Sequence, residues 1–430
     1  MNYFKSLQAM WLIAILLLSA CSPATVQEAA PPQNNIQVSE RTERLDSLLS
    51  TLIQEKAVPG ISLIVIENGK ETYFNVQGYI DTENQIQQTR ASVARYYSMT
   101  KPIVGVALMT LFEDGKFALD DPIAKYLPEY AELKVYVAGD ENSESTLVEP
   151  IRPVTIRDLM RHTSGMSYGL FTNTAVDQMY RDAGVLSLEE SNAELSQKLS
   201  KLPLLAQPGT KWIYSVSVDV QGRLIEVLSG KSLGEFLSET IFEPLQMGHT
   251  GFTVKTADRE LFGPAYRLSK DGLSRLSDAG RDKPLTVEDM FLSDVAFESG
   301  GSGLVSTIDD YAKFAKMLLG KGALNDVRIL QPETLKMMTT DQLGNADHGW
   351  LGEDMGFGLN FAIKTGAVTD GRLPQPVGSY GWGGLAGTYF SVDPQNQLTI
   401  VLQIQVLGHE YANIRKRIIA AIYGIEAPAD

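Results

Sequence analysis

The chain has 430 residues, 44% of them hydrophobic and 21% charged, with 37 glycines, which is the composition of a folded globular protein with a sizeable core. Its formal net charge is −15 and its lysines and arginines are scattered, so there is no basic stripe for a nucleic-acid backbone. A single cysteine rules out an intrachain disulfide, and His162, His249, His348 and His409 lack the spacing of a metal site.

In chain order the first element is "MNYFKSLQAMWLIAILLLSAC", with Lys5, an apolar run from Met10 to Leu18, and small residues after it. That run is shorter than the ~20 residues of a membrane span, so residues 1–20 read as an export signal. Cys21 closes "LSAC", which resembles the lipobox of bacterial lipoproteins. The resemblance implies lipidation of Cys21 and a membrane anchor. Ser22 after it implies an outer-membrane location facing the periplasm, and the alternative is a plain cleaved signal that leaves a free thiol. Residues 21–41, rich in Pro, Gln, Asn and Ala, read as a flexible tether.

The folded unit is expected over 42–425. Leu45, Leu48, Leu49 and Leu52 have helical spacing, and "ISLIVIENGKETYFNVQGYID" reads as two strands around an Asn-Gly turn. A mainly helical lobe is expected over about 98–320. "MGFGLNFAIKTG", "GLAGTYFSVDP" and "QLTIVLQIQVLG" then read as consecutive strands, and a last helix covers about 409–423. This order suggests a sheet assembled from both chain ends around an inserted helical lobe.

Within "RYYSMTKPIVG", Ser98 and Lys101 stand three apart at the start of a helix pattern, which puts hydroxyl and amine on one face. Serine needs an adjacent proton acceptor, and a lysine serves only if burial or a neighbouring charge lowers its pKa. Ile103, Val104, Val106, Leu108 and Leu111 follow, so the helix is expected to be buried with its first turn at a cleft. The partial positive charge of that N-terminus favours an oxyanion.

"YYSMTKPIVGVALMTLFEDGKFALDDPI", "TIRDLMRHTSGMSYG", "KWIYSVSVDVQGRLIEVLSG", "IFEPLQMGHTGF", "ESGGSGLVSTIDDYAKFAKMLL" and "GSYGWGGLAGTYFSVDP" occur in this order. Together they resemble the serine β-lactamase and penicillin-binding protein superfamily, in its class C and family VIII carboxylesterase branch, over about residues 42 to 424. The resemblance implies an α/β fold of the α+β type, the β-lactamase/transpeptidase-like fold, with an antiparallel sheet. It also implies an exported serine hydrolase that forms an acyl-enzyme on Ser98, with no metal or organic cofactor. Tyr214 in "WIYSVS", 214 − 98 = 116 residues on, matches the family's tyrosine and is expected to shuttle the serine proton, with Lys101 easing its ionisation. Val216 stands where penicillin-related members carry Asn.

The literal "KTG" at Lys364 to Gly366 reads as a decoy for the family's third motif, as does "YAN" at Tyr411 to Asn413 for the second. "WGGLAGTYFSVD" fits the third position better and puts Trp382, Gly383 and Gly384 at the substrate. The backbone N–H groups of Ser98 and Leu385 would then form the oxyanion hole. Trp382 removes the lysine that would pair with a β-lactam or stem-peptide carboxylate, and no Lys or Arg lies between Arg372 and Arg415, which leaves His409. The expected substrate is therefore a small uncharged ester. β-Lactamase or D-Ala-D-Ala carboxypeptidase activity on the same site is the alternative, with a cation arriving from a distant loop. A non-catalytic cell-wall-binding lipoprotein is a reading of another class. "GMSYG" around Ser167 matches a Gly-x-Ser-x-Gly elbow, but a helix pattern precedes it where a strand is required. "GGSG" at 300–303 reads as a tight turn before a helix capped by Ser306 or Thr307.

Overall fold

A computed structural model describes residues 35–139, 144–185, 187, 189–276, 291–293, 295–366, 373–408 and 411–427. The export signal, Cys21 and His409 lie outside them. The first helix, α1 (Asn35–Gln54), starts inside the segment read as tether. Part of the reason is Arg41, whose guanidinium grips Glu67 Oε2 at 2.8 Å and Thr72 Oγ1 at 3.2 Å and so fastens that turn to the sheet. Leu45, Leu49 and Leu52 are fully buried, as their spacing predicts.

Eight strands form the main sheet: β1 (Gly60–Glu67), β2 (Lys70–Asp81), β3 (Ile86–Gln87), β4 (Met355–Phe357), β5 (Ala362–Lys364), β6 (Tyr380–Gly383), β7 (Tyr389–Asp393) and β8 (Leu398–Gln403). Their order is β4-β5-β6-β7-β8-β1-β2-β3 with antiparallel neighbours, so both chain ends build it. Asn68 and Gly69, at φ 49° and 75°, make the hairpin turn, a left-handed pair that Asn-Gly adopts readily. "MGFGLNFAIKTG" is a hairpin of two strands rather than one strand, because Asn360 at φ 66° reverses the chain inside it. Trp382 lies on a further strand, β6.

Alternation along β1 shows how the layers form. Ile61, Leu63 and Val65 face α1 and the last helix, while Ile64 and Ile66 face the helical lobe. β1 is therefore apolar on both faces. The lobe contains α2 (Thr100–Glu113), α3 (Ser217–Ser229) and α4 (Ile308–Leu319), and α4 packs on β8. The terminal helix α5 (Tyr411–Tyr423) lies beside α1 on the far face. Thr307 caps α4 by accepting the Asp310 N–H, whereas Ser306 bonds Thr250. The sequence pattern did not anticipate the three-stranded sheet of Tyr266–Ser269, Gly272–Arg275 and Val406–Leu407. Among the described residues no helix is long and apolar enough to cross a membrane.

One antiparallel ribbon, Val93–Arg95 with Val305–Thr307, sets the site. It brings the turn before α2 against the Ser299–Leu304 loop, and the Tyr96 N–H bonds the Leu304 carbonyl at 3.0 Å.

Candidate active site

Ser98 sits in a single 3-10 turn, Tyr97–Met99, that runs into α2. Tyr97 before it is held at φ 45°, a left-handed conformation that costs a bulky residue about 1–3 kcal/mol and is retained only where surrounding packing enforces it. Tyr97 is buried, and Ser98 is left partly open. Ile103, Val104, Val106, Leu108 and Leu111 are all buried, so α2 is a core helix whose first turn carries the hydroxyl.

The Lys101 amine lies 3.2 Å from Ser98 Oγ and donates to the Gly301 carbonyl at 2.7 Å. The side chain is 1% exposed, and among the described residues no carboxylate hydrogen-bonds it. Burial lowers its pKa to about 7, against a smaller opposing pull from Asp219. At neutral pH a large share of the amine is thus unprotonated and able to accept a proton.

Tyr214 donates its hydroxyl to Ser98 Oγ at 2.7 Å, and Trp382 Nε1 donates to the same phenol at 3.2 Å. The Trp382 N–H is therefore directed to the tyrosine, not to a substrate group. The expectation that Lys101 would ease ionisation of the phenol is corrected: burial pushes the Tyr214 pKa well above its ordinary value, beyond what the bonds from Ser98 and Trp382 offset. Aromatic rings on several sides desolvate it, including His162, Tyr168, Phe171 and Trp350. A buried amine and a buried phenol thus flank the Ser98 hydroxyl.

The Leu385 N–H stands in the turn after β6, which packs against the segment that carries Ser98. Neither it nor the Ser98 N–H has a hydrogen-bond partner among the described residues. A Cβ on Gly384 would lie 2.5 Å from the Tyr96 carbonyl oxygen, so only glycine lets the turn approach the segment carrying Ser98. Arg415 on α5 braces the turn from behind. Its Nη2 donates to the Gly384 and Thr388 carbonyls at 2.6 Å each, and its Nε to Gly387 O at 3.2 Å. Across a trans peptide the Gly384 carbonyl and Leu385 N–H point in opposite directions, so holding the first aims the second.

Arg415 is not the missing substrate cation. Gly383 pairs with Tyr389, whose ring lies under the Arg415 guanidinium, whereas Trp382 pairs with Phe390 on the opposite face of the strand pair. Lys364 of the "KTG" run is 1% exposed and ion-paired with Asp354, and Tyr411 of "YAN" opens α5 beside Arg415. Ser167 lies in a loop, is buried and gives its hydroxyl to Asp177, while accepting the Gly169 N–H at 2.9 Å. It is no nucleophile elbow. Val216 is buried in the core.

Besides Arg415, two participants were not identified by reading the sequence. Gly301, in the "GGSG" turn, supplies the carbonyl that holds the lysine. Asp219 steadies that turn: its Oδ1 accepts from Gly301 N at 2.9 Å and Ser299 Oγ at 2.7 Å. Burial raises the Asp219 pKa, and its Oδ2 has no partner among the described residues. Its place five residues after Tyr214, on the next turn of α3, was the available signal. Among the described residues no group of three or more His, Cys, Asp and Glu is arranged to hold a metal ion.

This geometry agrees with comparisons to known proteins. The family model "Beta-lactamase" matches residues 45–423. An uncharacterised protein of Mycobacterium tuberculosis is 31% identical over 355 residues, covering 80% of this chain and 85% of that protein. Esterase EstB of Burkholderia gladioli is 27% identical over 392 residues, covering 88% and 94%. Among solved structures, EstCE1, described as a hydrolase with promiscuous acyltransferase activity, superposes with a TM-score of 0.76 at 25% identity, over 90% of this chain and all of that one. The chain therefore belongs to the Beta-lactamase family, and it is a serine hydrolase.

Proposed function

We propose that this protein is a carboxylesterase for small uncharged esters, with Ser98 as nucleophile, Lys101 as base and Tyr214 as general acid. The observation that carries this reading is the Ser98–Lys101–Tyr214–Trp382 cluster, in which an indole stands where a carboxylate-binding lysine would be needed. An esterase among the relatives supports it.

In the first step Lys101 takes the Ser98 proton as Oγ attacks the ester carbonyl. The oxyanion is held by the Ser98 and Leu385 N–H groups, an arrangement worth about 10²–10³ in rate per donor. Tyr214 gives its proton to the departing alkoxide and takes one back from the protonated Lys101, which leaves a neutral amine and phenol with the acyl group on Ser98. Lys101 then activates a water, which releases the acid and regenerates the hydroxyl. Lipidation at Cys21 and an outer-membrane location facing the periplasm belong to the same proposal. Their support is the "LSACS" stretch alone, and the mass of the mature N-terminal peptide tests them.

Activity is checked by supplying a short-chain p-nitrophenyl ester beside a chromogenic cephalosporin, to the native protein and to Ser98→Ala. Cleavage of the ester alone, abolished in the variant, is the expected result. Cleavage of only the cephalosporin would overturn the substrate assignment, and activity surviving in Ser98→Ala would overturn the nucleophile.

A further inference from the structure

A cavity of about 420 Å³ opens beside Tyr214, between the 167–174 loop, the 211–214 segment and the turn at Trp350. That volume lies within the ~300–1,000 Å³ typical of small-molecule sites. Its wall is aromatic: Tyr168, Phe171, Trp212, Tyr214 and Trp350 line it. Trp212 meets Trp350 edge-on with ring centroids 4.8 Å apart, and Phe171 meets Tyr214 at 5.3 Å. Phe171 and Trp350 are 50% and 53% exposed, so two large rings stand at the mouth with open faces that no described residue covers.

Most polar side chains in the wall are already committed. The hydroxyls of Ser167, Thr172 and Thr174 all serve Asp177, the last at 2.8 Å, and Lys211 pairs with Asp347 at 3.0 Å. What remains is ring faces, the lysine stem and the Trp212 Nε1–H, which is buried without a partner among the described residues. Such a wall suits an uncharged ring and offers no uncommitted carboxylate or amine for a charged one.

The position of the cavity says which part of an ester it would hold. Tyr214 is both its wall and the donor to Ser98 Oγ, so the cavity begins one phenol ring from the nucleophile. The tetrahedral carbon carries Oγ, the oxyanion, the acyl chain and the leaving oxygen. The leaving oxygen is the one that Tyr214 must reach to protonate, so the group attached to it emerges on the cavity side. We propose that this cavity binds the alcohol part of the ester, and that the alcohol is an uncharged ring-bearing one, aromatic or alicyclic. The proposal rests on the esterase reading above and names the substrate class of that site.

The test compares ethyl acetate, benzyl acetate and ethyl phenylacetate with the native chain, Trp350→Ala, Phe171→Ala and Ser98→Ala, following acid release. The native enzyme is expected to prefer benzyl acetate to ethyl acetate. Either ring deletion should cut kcat/KM for benzyl acetate about tenfold more than for ethyl acetate or ethyl phenylacetate, the difference lying mostly in KM. Trp350→Phe, which keeps an apolar ring, should restore most of the loss. Because both rings are half exposed, unchanged melting temperatures are expected, and each variant serves as the control for the other's folding. Equal losses on all three esters, or losses confined to ethyl phenylacetate, would overturn the assignment. Ser98-dependent cleavage that ignores both rings would overturn the cavity alone. Cleavage of none of the three esters, or cleavage that persists in Ser98→Ala, would overturn the esterase reading and the cavity with it.

Discussion

Lys101 and Lys364 are each 1% exposed, yet their surroundings differ in one respect that decides what each can do. Lys364 meets the Asp354 carboxylate, forming a buried pair between strand β5 and the loop before β4. Lys101 gives its hydrogen bonds to a carbonyl and a hydroxyl and lies over the rings of Tyr168 and Tyr214, while Asp219 stands behind the Gly301 peptide and reaches the amine only through space. Burial without a counter-charge makes an amine a base near neutral pH; burial with one makes a structural tie. Membership in a short motif is therefore a poor guide to role, since the literal Lys-Thr-Gly belongs to the tie.

Substitution at Lys101 should show the largest effect. Lys101→Met is expected to lower kcat/KM for a p-nitrophenyl ester by about 10³-fold or more, in the range seen when one member of a catalytic unit is lost. Near-normal turnover in that variant would break the contrast outright. Arg415, a third cation held in the interior, extends the comparison because its hydrogen bonds go to carbonyls and brace the Leu385 turn. Arg415→Ala should cost about 10- to 100-fold in kcat with little change in KM, as expected for loss of a contact that matters only once the oxyanion forms. A loss confined to KM would count against that role.

pH dependence sharpens the same contrast. With the Lys101 pKa lowered from 10.5 to about 7, kcat/KM for a neutral ester should rise through a limb near pH 7 as the amine loses its proton. For stability the sign is the same. Between about pH 7 and 10.5 the unfolded chain binds a proton that the folded chain has released, so this group's contribution to stability rises with pH across that window. Asp219→Asn removes the charge that favours the protonated amine, and the kinetic limb should move to lower pH. A limb that stays in place would mean that Asp219 acts through the Gly301 contact alone. The smallest expected effect on activity is that of Lys364→Met, within about threefold of native. Its cost should appear in denaturant unfolding as about 3–5 kcal/mol, because one member of a buried ion pair is removed.

How much of this was legible in the sequence follows from range. Ser98 and Lys101 are three residues apart, so helix geometry alone brings them together. The Asn68-Gly69 turn announces its hairpin by local conformational preference. Tyr214 and Trp382, 116 and 168 residues further along in succession, have no local signal and were reached only through family resemblance. Gly301, Asp219 and Arg415 were missed because each acts across the fold through a backbone group, and backbone carbonyls leave no trace in residue type. The aromatic cavity was missed for a related reason: Phe171, Trp212 and Trp350 come from three separated segments. The start of α1 at Asn35 was hidden by polar composition, since an amphipathic stripe becomes readable only from Leu45 onward.

The central claim is that Ser98, faced by a buried amine that is not ion-paired, carries the acyl group. Intact-mass and peptide-mass analysis of protein quenched in acid during turnover of a p-nitrophenyl ester tests it most directly. One acyl adduct on the peptide containing Ser98, absent in Ser98→Ala and strongly reduced in Lys101→Met, is the predicted result. An adduct on Ser167, or full turnover in Ser98→Ala, would contradict it.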